Sequence, residues 1–145
     1  MNSFLQRISS VLIYTLPLKA VLPFGGILFY KFAYLKIILL ITLPITIIEN
    51  NLPFGSLLLF LILFVGVVRN SNVPYFVRFN SCQALLLDIA LILFSYLLRI
   101  IPIAELGLIL FILTLAICIF CIIQCILGIE PEMPLISNSA RMQIY

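Results

Sequence analysis

Apolar residues fill four long runs, at about 32–48, 53–68, 81–101 and 105–129, and polar residues crowd into the breaks between them. A membrane-crossing helix needs ~20 mostly apolar residues, with ~17 tolerated. Four such runs predict four transmembrane helices. The break Glu49-Asn50-Asn51-Leu52-Pro53 is short, so the first two spans are expected to form an antiparallel hairpin. Asn70-Ser71-Asn72-Val73-Pro74 is turn chemistry. Asn80 and Gln83 have capping-box spacing, which starts the third helix near Asn80 or slightly earlier. The short break Ile101-Pro102-Ile103-Ala104-Glu105 predicts that the third and fourth spans are antiparallel neighbours.

Residues 3–24 read differently. Phe4, Leu5, Ile8, Val11, Leu12 and Leu16 fall on one helical face, and Gln6, Arg7, Ser10 and Tyr14 on the other. A helix of that kind lies in the membrane interface. Pro17 and Pro23 interrupt it, and Gly25-Gly26 permits a turn into the first span. The alternative is a kinked fifth span over residues 11–30. A signal peptide fits poorly, because Leu18 stands at the small-residue position before Ala20. The remainder, 130–145, is a polar tail. The pattern predicts an all-α membrane protein with one domain over 1–145, built of four transmembrane helices and an N-terminal interfacial amphipathic helix.

Composition sharpens this. The chain is 65% hydrophobic and 9% charged, against about a quarter charged in soluble domains, which leaves no stretch for a separate soluble module. The net charge of +3 is small and speaks to topology rather than to nucleic-acid binding. With four spans, Arg7, Lys19, Lys31, Lys36, Arg69, Arg78 and Arg141 share one face and only Arg99 lies opposite, which predicts both termini on the cytoplasm-like side. With no histidine, a His-based triad or zinc site is excluded. Of the four cysteines, Cys118, Cys121 and Cys125 lie in one apolar run with Cys82 apart, and they read as small buried hydrophobes. No phosphate-cradling glycine loop and no carboxylate pair stand out. The expectation is no enzyme, no catalytic residue, no cofactor and no metal.

Asp88 is the one acid deep inside a run. It stands ~12 Å beyond Asn80, near the midplane of a ~30 Å core. A carboxylate there costs ~2.5 to 3.5 kcal/mol on insertion scales, so it must face protein or water. Arg78, Ser81, Asp88, Ser95 and Arg99 recur on one helical face, and Gly107, Thr114, Cys118, Cys121, Cys125 and Gly128 form a small-residue stripe on the next helix. Folding the chain about residues 102–103 sets Asp88 level with Cys118 and Ser81 level with Gln124. The expected polar seam is Asp88, Ser81, Ser95, Thr114 and Gln124, with the Asp88 stripe packed on the Thr114 stripe. The structural reading beside it is a carboxylate that fixes helix register, with Gln124 as interhelical glue.

The central string GVVRNSNVPYFVRFNSCQALLLDIAL, residues 66–91, resembles the signature of the Tic-twenty family, the four-helix membrane subunit of the translocon at the inner envelope membrane of chloroplasts. Arg69, Asn70, Pro74, Arg78, Phe79 and Gln83 carry the resemblance. RISSVLIYTLPLKAVLPFG, residues 7–25, is similar to the family's proline-containing opening segment, and EMPLISNSARMQI, residues 132–144, to its tail. The chain departs from the family pattern at Asn80, where a histidine is common, at Lys19, near a common acid, and at Ala140-Arg141. The resemblance implies a protein-import subunit that contributes to a preprotein-conducting path and works with other translocon subunits in a hetero-oligomer. It implies a multi-pass protein of the plastid inner envelope with both termini in the stroma, or a cyanobacterial plasma-membrane relative. No transit peptide is evident, which suggests a plastid-encoded copy. Its partners are then preproteins in transit, sister subunits and the lipid bilayer, with no nucleic acid. Two alternatives come from the residues alone: a small four-span transporter in which Asp88 exchanges a proton, and a non-conducting assembly factor.

Overall fold

In the computed structural model, which describes residues 3–144, every regular element is helical. Four helices among the described residues are long and apolar enough to cross a membrane: Phe4–Lys31, Ala33–Asn51, Tyr75–Ile100 and Ala104–Leu127. A fifth apolar helix, Gly55–Val68, is shorter.

The first of these is assembled from α1 (Phe4–Ile13), α2 (Thr15–Val21), a 3₁₀ turn at Leu22–Gly25 and α3 (Gly26–Lys31). Ser3 caps α1: its hydroxyl accepts from the Gln6 amide, and the Gln6 side chain accepts from the Ser3 amide, each at 3.3 Å. Pro17 falls in the first turn of α2 and Pro23 opens the 3₁₀ turn, positions where a missing N–H costs little. The helical path bends there without ending. It stops at Phe32, where φ is −123° and ψ is 88°.

The chain then reverses into α4 (Ile37–Asn51), which runs antiparallel to α2 and α3. Ile38 shares a cluster with Phe29, Glu49 pairs with Lys19, and Leu52 joins the cluster of Leu16. Pro53 ends α4 by forcing Leu52 into extended backbone, with ψ 136°. Phe54 turns through the left-handed region at φ 57°, and α5 (Gly55–Leu63) follows, closing in a π-helical turn at Phe64–Val68. The side-by-side hairpin expected at Glu49-Pro53 is therefore not formed. α4 and α5 are successive halves of one passage, broken at Leu52–Phe54.

α6 (Tyr75–Ile100) begins directly after Pro74. The Asn80 side chain does not cap it. It donates instead to the Phe76 carbonyl at 2.8 Å, one turn back in the same helix. α7 (Ala104–Leu127) ends at Gly128, whose φ of 77° closes a Schellman-type stop: Gly128 N donates to Cys125 O at 3.0 Å and Ile129 N to Gln124 O at 2.9 Å. The expected polar tail contains a further helix, α8 (Ile136–Ile144), docked on α6; Tyr145 lies outside the described residues.

The N-terminal helix is present, and its placement is the main departure from the sequence pattern. α1 and α2 run between α6 and α7 rather than along a surface. α1 points its polar side inward and its apolar side outward, whereas α2 buries Leu16, Leu18 and Val21 as well. Ser10 and Tyr14 are fully buried, while Phe4 and Leu5 are 75% and 74% exposed. That is the arrangement lipid dictates, since acyl chains solvate leucine and only protein satisfies a hydroxyl there. The small residues of α7 make the room. A Cβ on Gly107 would stand 3.0 Å from the Phe24 ring, and one on Gly25 would stand 2.7 Å from Phe111.

Arg7 donates to the Ile126 carbonyl and Arg78 to the Ile144 carbonyl, so both ends of the described chain meet at one end of the bundle. Arg69 and Arg141 lie at that end as well, each over a ring, of Phe64 and Phe79. Lys31, Lys36 and Arg99 lie toward the other, and Lys19 sits between. The lopsided count read from four equal spans is thus nearly balanced in the fold.

Candidate functional site: a charged groove at mid-depth

Asp88 stands ~15 Å along α6 from Arg78 and ~16 Å from Arg99, at ~1.5 Å per residue. It is 8% exposed and has no hydrogen-bond partner among the described residues. Its nearest counter-charge is Lys19 on α2, which forms an ion pair with Glu49 near the end of α4. One ammonium thus serves two carboxylates from two other helices. These groups line a groove of about 440 Å³ together with Leu16, Ser56, Ile92, Ser95 and Arg99. Glu49 precedes the α4–α5 break and Ser56 follows it, so the break lies at the depth of Asp88. Arg99 closes the far rim with its guanidinium 5.3 Å over the Tyr96 ring.

A second polar cluster lies nearer the Arg78 end, and it is sealed. Gln83 is fully buried. Its Nε2 donates to the Tyr14 hydroxyl at 3.1 Å and to the Pro131 carbonyl at 3.0 Å, and its Oε1 accepts from the Ser137 hydroxyl at 2.7 Å. Tyr14 donates to Asn80 Oδ1 at 3.0 Å, and the Cys125 thiol donates to the same oxygen at 3.3 Å. Four parts of the chain meet here: α1–α2, α6, α7 and the tail.

The structure divides the expected seam. Asp88 and Ser95 line the groove. Ser81 is buried and donates to the Val77 carbonyl of its own helix at 2.7 Å. Thr114 is buried on α7, and Gln124 is half-buried with an Oε1 that finds no partner among the described residues. The Asp88 stripe does not pack on the Thr114 stripe, because α2 stands between them.

Residues 2–140 match a family described as chloroplast import apparatus Tic20-like. This chain belongs to the Tic20-like family. A Tic20 family protein from Synechocystis is 38% identical over 148 residues, covering 96% of this chain and 92% of its own length. The motif positions of this Tic20-like chain turn out to brace the bundle. Asn70 turns the loop by accepting from the Asn72 amide at 3.0 Å, and Pro74 precedes α6. Arg78 ties the end of the π turn to the tail by donating to Val68 O at 3.0 Å and Ile144 O at 2.8 Å. Phe79 is fully buried, with Tyr75 stacked on it and Arg141 over it. Gln83 is the hub described above. Arg69, exposed, lies 5.4 Å over Phe64.

Reading the residues alone missed Lys19 and Glu49 in the groove and Tyr14, Asn80 and Ser137 in the sealed cluster. Lys19 carried a usable signal. It sits inside the apolar stretch 11–30, and a lysine within a fifth passage needs an acid at its own depth.

Proposed function

We propose that this Tic20-like protein is a membrane subunit of a protein-import translocon at the plastid inner envelope, and that its charged groove forms one wall of a preprotein-conducting path. The observation that carries the reading is the groove, together with family membership. It reaches from the Arg99 rim to mid-depth, is lined by both signs of charge, and is open on one flank because α4, on that side of the break, packs on α2. An extended polypeptide carries an unsatisfied N–H and C=O at every residue, which lipid cannot solvate. A wall bearing Lys19, Glu49, Ser56, Asp88 and Ser95 can. Four passages, the first of which packs α1–α2 between α6 and α7, leave no pore of their own among the described residues, which supports assembly with sister subunits that supply the opposite wall. Both termini are then stromal; a plasma-membrane site in a cyanobacterium fits the Synechocystis relative equally well.

The test is site-specific photocrosslinking with a preprotein arrested in transit. A probe at Ile92 or Ser95 should capture the preprotein, and probes at the lipid-facing Ile112 and Ile119 should not. Capture at the lipid-facing positions alone removes the groove from the path. A proton-coupled transporter is the second reading, favoured by a broken helix beside intramembrane carboxylates. It requires proton flux in vesicles that Asp88→Asn abolishes.

A further inference from the structure

The break in the second passage lies where no lipid-facing break is tolerated. Leu52–Phe54 interrupts the helix at the depth of Asp88, α5 starts with no side-chain cap, and Asn50, Asn51, Pro53, Phe54 and Ser56 are exposed. Backbone that is not helical at membrane depth persists only when it is buried in protein or lines a water-filled cavity. Here it lies beside a groove into which Asp88 points, more than nine-tenths buried and without a hydrogen-bond donor among the described residues. A carboxylate in that state requires donors, and Lys19, which it shares with Glu49, gives it a counter-charge but no hydrogen bond.

The geometry points to a one-sided aqueous vestibule. Water enters at the Arg99 end, fills the groove down to Asp88 and solvates the α4–α5 break. The vestibule ends blind. Below Asp88 the packing closes through Leu16, Leu85 and Phe79, all buried, and then through the saturated cluster around Gln83. About 440 Å³ is room for on the order of ten waters at ~30 Å³ each. The occupant is water. The assignment does not depend on what the protein transports, and it stands or falls separately from the import reading.

The experiment uses the full-length protein reconstituted in sealed vesicles of known orientation. The native cysteines are retained, since all four are buried, and the parent protein serves as the blank. Single variants Ser56→Cys and Ser95→Cys test the groove; Leu93→Cys and Ile112→Cys report lipid-facing positions. A charged, membrane-impermeant maleimide is added from each side in turn. Thiols react as thiolates, which apolar surroundings suppress. The groove variants should therefore react on the order of tenfold faster than the lipid-facing ones, and only from the Arg99 side. Equal rates at all four positions, or labelling of Ser56→Cys only from the Arg78 side, overturn the vestibule. Spin labels on the same variants give an independent reading: collision with a water-soluble nickel chelate should exceed collision with oxygen at positions 56 and 95 and fall below it at 93 and 112. The reverse order overturns the proposal even if the maleimide reactions fail. Labelled groove positions without preprotein capture would sink the import reading and leave the vestibule standing.

Discussion

At the scale of single residues, the chain separates polar groups that hold the fold from polar groups left for contact. Gln83 is of the first kind. Its amide has both ends engaged and joins residues from three distant parts of the sequence. Gln83→Leu takes the acceptor from the Ser137 hydroxyl proton and the donor from the Pro131 carbonyl, each costing ~1 to 3 kcal/mol when buried without a partner. The variant should unfold earlier in detergent and expose the tail to protease, with cleavage near residues 130–135. Asp88 is of the second kind, since none of the described residues donates a hydrogen bond to it. Gly25 sets a steric limit rather than a polar one. Its missing Cβ would collide with Phe111, so Gly25→Val should lower thermal stability by ~1 to 3 kcal/mol. Phe111→Leu in the same chain should restore part of that, read as a rise in melting temperature over the single variant.

At the scale of elements, legibility followed the length and purity of the apolar pattern. α6 and α7 were readable because their runs are long enough to span and their ends carry proline, glycine or charge. The small-residue stripe on α7 was readable as a close-packing face, but its occupant was not. A short linker made α6 the natural choice, whereas α1–α2 took the place. Sequence spacing fixes which face is slender and carries no information on which distant segment is slim enough to fill it. Glu49 was opaque for a similar reason, because it looked like a loop charge until the fold set it at the depth of Lys19. Their pairing gives a cycle to measure. Lys19→Leu leaves two carboxylates facing one groove and should destabilise by ~3 kcal/mol or more. The double change Lys19→Leu with Glu49→Leu should cost less than the single one, and additive losses would show that the pair is not coupled.

At the scale of the whole molecule, the protein is a bundle organised around its own N-terminus. An interfacial helix could be removed with little effect on the helices beneath it. A central one cannot, because α1–α2 supply the contact between α6 and α7. Deleting residues 3–21 should abolish protease resistance of the remaining chain after membrane insertion. Recovery of a compact, resistant core would show that α6 and α7 can close on each other unaided.

The hydrogen-bonded hub also sets the order in which the protein is made. Tyr14 leaves the ribosome more than a hundred residues before Pro131 and Ser137, and Gln83 needs all three. At ~5 to 20 residues per second of synthesis, the opening helix waits several seconds inside the bilayer with its Tyr14 hydroxyl unpaired. The hub can close only once residue 137 has been made, so a chain stalled before that point is a natural substrate for membrane quality control.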